Sequence, residues 1–258
     1  MSVWLQNKSF EEILELKDKG LDTAIIPVGS TEQHGSHLPL GTDTMVANML
    51  AEDAAIKAGV IVAPPLWFGW SPHHMVLPGT ITIRPEILIE VLYDVISSLN
   101  DHGFKKFVVI NGHRIVNIPW MQICAERAQR ILGVKIVLFD PAYMSKEIVS
   151  KLGYGPVGHS EEIETSQMLY RNPHLVHLEK AKDNPVQQHP LYSVDPAYPG
   201  DTLCYVPSTK KDMQKSVDIA GGTTGSPTKS SAENGQLYHD HLVNNLVQVL
   251  NNLKSLDV

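Results

Sequence analysis

The run Thr23-Ala24-Ile25-Ile26-Pro27-Val28, continued by Gly29-Ser30-Thr31-Glu32-Gln33-His34-Gly35-Ser36-His37-Leu38-Pro39-Leu40-Gly41-Thr42-Asp43, decides the fold. Its first six residues are apolar with little polar alternation, as a strand buried on both faces requires. The next fifteen are polar and rich in glycine and histidine, and they give way near Asp43 to a helical stretch that Gly59 closes. Strand, loop and helix in that order make the first half of a βαβ unit.

The same alternation extends in both directions. Upstream, Ser9-Phe10-Glu11-Glu12 has capping-box form, and Phe10, Ile13 and Leu14 follow at helical spacing until Gly20. Downstream, Val60 to Ala63 reads as a second strand that runs into Pro64-Pro65. Ile87, Leu88, Val91, Leu92, Val95, Ile96 and Leu99 mark an amphipathic helix that starts at Arg84-Pro85 and stops near Gly103. Phe107 to Ile110 supplies a third strand, Trp120 to Leu132 a helix, and Val134 to Phe139 a fourth strand. Such alternation predicts an α/β fold of three layers, αβα, around a mainly parallel central sheet with right-handed crossovers. The stretch from Pro173 to Lys229, rich in Pro, Gly, Ser, Thr and Asp, is expected to form long loops with a short strand near Cys204. A last helix is expected from about Ala232 to Leu253.

A chain of 258 residues, 43% hydrophobic and 19% charged, fits a single domain spanning residues 1–258. A formal net charge of −7 argues against nucleic acid or an anionic membrane surface as partner and leaves a small molecule. The two cysteines, Cys124 and Cys204, are too few for a disulfide framework. The first residues are acidic where a signal peptide is basic and apolar, and no apolar run approaches the ~18 residues of a membrane span, so a cytoplasmic location is expected.

In a parallel sheet the loops leaving the strand carboxyl ends converge on one crevice. Here those loops carry Glu32, His34, His37 and Asp43; Trp70, Ser71, His73 and His74; Asn111-Gly112-His113; and His159, Glu161, Glu162 and Glu164. Carboxylates and imidazoles in that mixture suit Zn²⁺, Mn²⁺ or a related ion, and a carboxylate can bridge two of them. Two bridged ions point to hydrolysis. No Gly-x-Gly-x-x-Gly follows the first strand, which argues against a nucleotide-dependent oxidoreductase.

At these residues the chain resembles the creatininase family. Glu32 through Asp43 matches the family pattern Glu-x-His-Gly-x-His-Leu-Pro-x-x-Thr-Asp. Ser71 to Thr80 is similar to its Ser-x-x-His-x-x-Phe-Pro-Gly-Thr, with Leu77 in place of Phe. Asn111-Gly112-His113 is similar to its Asn-Gly-His, and His159 to Ser166 to its His-Ala-Gly-Glu-x-Glu-Thr-Ser. The resemblance implies one divalent ion on Glu32, Asp43 and His113 and a second on His34, Asp43 and Glu162, the pair being Zn²⁺, Mn²⁺ or Fe²⁺. Creatininase itself takes a glutamate from just after the Asn-Gly-His histidine. Here that stretch is Arg114-Ile115-Val116-Asn117, so the glutamate at the His-Ala-Gly-Glu position, Glu162, is the expected replacement. His159 and Glu162 form the expected catalytic pair, His159 moving a proton beside a metal-activated hydroxide.

The resemblance further implies a small cyclic substrate and a homo-oligomer, a hexamer in the family. Between Pro141 and Val157 the chain has Tyr143 and Tyr154 but none of the tryptophans with which creatininase covers creatinine, so creatinine is not the expected substrate. His37, Trp70, Ser71, His74, Arg114 and Tyr154 are the candidate substrate contacts. Amide-type C–N cleavage is the first expectation. C–C hydrolysis of a cyclic diketone from inositol catabolism, the 3-dehydro-scyllo-inosose hydrolase type, is the alternative, and a non-catalytic metal-stabilised binding protein is the rival class.

Overall fold

A computed structural model describes residues 2–185 and 207–256. Thr23–Val28 forms β1 and Lys106–Asn111 forms β3, and every residue of both strands is buried. With Ile61–Val62 (β2) and Lys135–Phe139 (β4) they make a four-stranded, all-parallel sheet in the order β2-β1-β3-β4. Continuous apolar runs are what a sheet covered on both faces demands, and both faces are covered here.

Side chains alternate across the sheet and divide the core in two. Ile25, Val62, Val108, Ile110 and Phe139 face helices α2 (Thr42–Ala58), α7 (Glu162–Arg171) and α9 (Ala232–Lys254). Ala24, Ile26, Val28, Phe107 and Val109 face α3 (Pro85–Asp101) and α4 (Ile118–Leu132). α1 (Phe10–Asp18) opens on the predicted capping box, Ser9 accepting from the Glu12 amide. Two short helices, α5 (Pro141–Met144) and α6 (Lys146–Leu152), follow β4.

The loop-rich reading of 173–229 is corrected in one place. Lys210–Ala220 is a helix, α8, started by a second capping box in which the Thr209 hydroxyl accepts from the Asp212 amide. Only Met213, Ser216 and Ala220 of α8 are buried, so its apolar stripe is too thin to register as a helical period. The strand expected near Cys204 lies outside the described residues.

β1 and β3 end in the same row, Val28 opposite Asn111, so the loops that leave them emerge side by side. Two glycines let those loops close on the start of α2. A Cβ on Gly29 would collide with Thr44, and one on Gly112 with the carbonyl oxygen of Asp43. No helix among the described residues is long and apolar enough to cross a membrane.

Candidate metal centre

The start of α2 carries Asp43, the loop after β1 carries Glu32 and His34, and the loop after β3 carries His113; all four are buried. Asp43 lies between two histidines, with Oδ1 3.0 Å from His34 Nε2 and Oδ2 3.1 Å from His113 Nδ1. Glu32 reaches His113 Nε2 at 3.3 Å with Oε2, and His74 Nε2 at 3.3 Å and His159 Nδ1 at 3.5 Å with Oε1. Among the described residues three groups of potential ligands result: Glu32, Asp43 and His113; Glu32, His74 and His159; His34, His159 and Glu164.

Hydrogen bonds on the far side of each ring fix which nitrogen faces the cluster. The carbonyl oxygen of Glu32 lies 3.0 Å from His34 Nδ1 and can only accept, so Nδ1 carries the proton and Nε2 turns toward Asp43 and Glu164. The carbonyl oxygen of Gln33 lies 2.6 Å from His159 Nε2, which leaves His159 Nδ1 facing Glu32. His74 is arranged the other way. The Gly35 amide donates to Gln33 Oε1, which directs Gln33 Nε2 as a donor to His74 Nδ1 at 2.8 Å. His74 Nε2 therefore carries the proton and faces Glu32 Oε1 at 3.3 Å, outside hydrogen-bond geometry.

His159 Nδ1 thus turns a lone pair toward Glu32, and His34 Nε2 faces Asp43 and Glu164, as a proton donor when the ring is charged and as a ligand atom when it is neutral. Glu32 Oε1 and Oε2 and Asp43 Oδ2 are buried and receive no hydrogen bond of acceptable geometry from the described residues. Orphaned buried carboxylate oxygens are costly unless a cation compensates them. The donor set of imidazoles and carboxylates, with no thiolate among them, fits Zn²⁺ or Mn²⁺.

The titration behaviour points the same way. Burial pushes the Glu32 carboxyl up to about 7, with the Asp43 charge adding to the rise and His113 and His34 opposing it. Burial also works against charge on His34 and His113, but the surrounding carboxylates prevail and raise them to about 10 and about 9. Asp43 is held below the ordinary carboxylate range because His34 and His113 outweigh its burial. Burial and the neighbouring His34 charge keep His159 well below the usual imidazole value.

The remaining residues singled out from sequence fall as follows. Ser71 is buried with its hydroxyl 3.2 Å from His113 Nε2 and 2.6 Å from the Ser30 hydroxyl. His37 Nε2 donates to the Ser160 carbonyl oxygen, so its ring ties the loop after β1 to the start of α7. The Tyr154 hydroxyl pairs with Ser166. Trp70 is half-buried against the α3–α4 side of the core. Arg114 is enclosed by Glu161 and Glu164. Glu162 accepts from the Gly155 amide at 2.9 Å and from the Ser226 amide at 2.7 Å, and it belongs to none of the three groups; Glu164, two residues on, belongs to one.

Gln33 was not legible as a functional residue, although its amide orients His74 and its carbonyl orients His159. Its position between Glu32 and His34 was the one available signal. α8 also reaches the site, packing on the turn Pro72–Val76 that carries His74 and bringing Met213 within 3.5 Å of Gln33 Nε2.

The sequence profile of the family described as creatininase, creatinine amidohydrolase, matches residues 6–250. The chain belongs to the creatininase family. Among creatininase relatives, the 3-dehydro-scyllo-inosose hydrolase of Thermotoga maritima is 35% identical over 190 residues, 70% of this chain and 60% of that enzyme. The match therefore spans less than two thirds of that relative's length. The creatinine amidohydrolase of Pseudomonas putida is 27% identical over 230 residues, 83% of this chain and 82% of that enzyme. The fold of a crystallised creatininase superposes with a TM-score of 0.83 over 99% of both chains at 24% identity. Solved creatininases include a Zn–Zn form and a Mn form.

Proposed function

We propose that this chain is a divalent-metal-dependent hydrolase that opens a small cyclic substrate by adding water at a ring carbonyl. The observation that carries the reading is the convergence of Glu32, Asp43 and His113 within ligand distance of one another, with three carboxylate oxygens left without donors. These three residues are the candidate ligands of one ion. His34 and Asp43 are candidate ligands of the other, joined by a carboxylate from the start of α7, for which the family pattern points to Glu162. A bound pair of Zn²⁺ or Mn²⁺ ions, or of Fe²⁺, would supply Lewis acidity and water of lowered pKa.

The chain's own groups account for the proton movements. With Nε2–H committed to the Gln33 carbonyl, His159 presents Nδ1 as a base that can take a proton from attacking water and return it to the leaving atom. His74, held by Gln33, keeps its Nε2 3.3 Å from Glu32 Oε1 and borders the carboxylate. Ser71 places its hydroxyl 3.2 Å from His113 Nε2, the nitrogen that also faces Glu32.

Amide C–N cleavage is the first reading of the bond broken. A second, C–C cleavage of a cyclic diketone derived from inositol, is favoured by one observation: identity to the inosose hydrolase exceeds identity to the creatinine amidohydrolase. The cytoplasmic setting rests on the sequence alone, whose two cysteines are too few for a disulfide framework, and the hexamer of the family is the assembly to test by mass in solution.

The deciding experiment counts metal ions per chain and screens ring opening of cyclic amides and inositol-derived diketones before and after chelation. Chelator-sensitive turnover of one class supports the reading and identifies the bond. Folded protein that binds no divalent ion under any loading condition removes it.

A further inference from the structure

Arg114 was expected to meet substrate, and its surroundings argue for a different task. The guanidinium is buried and grips Glu161 through two parallel contacts, Nη1 to Oε1 at 2.6 Å and Nη2 to Oε2 at 2.9 Å. Nη2 also lies 2.6 Å from Glu164 Oε1. The second oxygen of Glu164, Oε2, accepts from the Ser160 amide at 2.8 Å and stands 3.7 Å from His34 Nε2. One end of the Glu164 carboxylate is thus held by Arg114, and the other faces the His34 and His159 nitrogens with which it forms a potential ligand group.

The backbone on both sides of this contact is strained. Ile115 sits at φ 66° and Ser160 at φ 53°, and a β-branched residue in the left-handed region is an outlier that the surroundings must enforce. Asp140 does so at Ile115: its Oδ2 accepts from the Ile115 amide at 2.7 Å and from Asn111 Nδ2 at 2.8 Å. The sequence carries a matching signature. Arg114 occupies the stretch where creatininase has its metal-binding glutamate, and Glu161 stands where the family pattern has glycine. Two departures from the pattern, 47 positions apart, meet in one bidentate pair.

We infer that Arg114 is a positioning residue of the metal centre: it aims Glu164 at the His34–His159 side of the cluster, with Glu161 as its counter-charge. Glu164 then completes the second ion's ligand set. Glu162, which accepts from the Gly155 and Ser226 amides and belongs to none of the potential ligand groups, braces the surrounding loops. A planar guanidinium suits this work because it can hold two carboxylates at fixed angles, which an ammonium cannot. The inference rests on the metal-dependent reading proposed above.

The test titrates chelated, full-length protein with Zn²⁺ and, separately, with Mn²⁺, and measures the number of sites and the dissociation constant of each. The variants are Arg114→Met, Arg114→Lys, Glu164→Gln, Glu162→Gln and the double variant Arg114→Met with Glu161→Gln, in which the buried charge is reduced so that the fold is retained; circular dichroism checks each. The expected result is that Arg114→Met, the double variant and Glu164→Gln weaken one site by about 10–100-fold while the other is unchanged. Arg114→Lys recovers part of the loss, and Glu162→Gln keeps both sites. Wild-type protein with two sites, both intact in folded Arg114 and Glu164 variants, overturns this inference alone. A rise in KM with metal affinity unchanged in the Arg114 variants does the same and restores the substrate role. Wild-type protein without any site overturns the underlying reading as well.

Discussion

His159 and Gln33 are joined by a 2.6 Å hydrogen bond from the imidazole Nε2 to the backbone carbonyl, and that bond leaves His159 Nδ1 directed at Glu32. A histidine held in this tautomer can serve as a proton carrier or as a ligand, and one variant separates the roles. His159→Ala is expected to lower kcat by about 10²–10⁴-fold with metal content per chain unchanged. Loss of an ion in that variant would assign the nitrogen to the metal instead.

Asp43 contacts both His34 and His113, so its removal is expected to act on both proposed ion sites at once. In Asp43→Ala, elemental analysis is expected to find neither ion retained through purification. Activity should fall by more than the ~10–100-fold typical of losing an outer-sphere partner. An Asp43→Ala enzyme that keeps both ions and turns over normally would rule out the bridging assignment.

Protein stripped of metal is expected to lose stability as pH rises. His34 and His113, raised to about 10 and about 9, contribute stability that is complete below their unfolded value of 6.5 and disappears as pH climbs through those folded values. Glu32, raised to about 7, adds a loss of the same sign between 4.5 and 7. Asp43, lowered, stabilises at all pH above its unfolded value and so adds no slope there. Melting curves of chelated protein from about pH 6 to about pH 10 should fall steadily, whereas the loaded protein should be flatter because ions replace the protons. A chelated protein whose melting temperature rises across that range would contradict the arrangement.

Gly112→Ala places a methyl group against the Asp43 carbonyl oxygen. Overpacking at a fixed backbone is expected to cost about 1–3 kcal/mol in urea unfolding, and it should loosen the ions because His113 is the next residue. Gly133→Ala, with open space around the added carbon but φ at 66°, is the comparison: some strain, no change in metal affinity.

The parts that could be read from the sequence were those whose cause is local. β1 is legible because a strand buried on both faces has to be apolar throughout. Glu32, His34 and Asp43 are legible because one short loop carries them all. The carboxylate partners of Arg114, Glu161 and Glu164, were not legible because they come from another element, and no periodicity reports a contact across 47 positions. Glu162 and Glu164 differ by two residues on one helix, about 200° around its axis, so a motif that contains both cannot say which of them turns inward. α8 stayed hidden because it buries only three side chains; its capping box was the signal that could have found it.

The parallel register that sets Val28 beside Asn111 has a consequence for how the protein matures. Glu32 and Asp43 precede the β3 strand in the chain, while His113, His159 and Glu164 follow it, so a nascent chain halted before β3 holds only fragments of a chelating site. Ion capture is a property of the completed sheet. Under the proposed metal-dependent reading the ions would bind the native state in preference to any partly assembled one, and their concentration would set how much of the chain's folding equilibrium they draw toward the finished form.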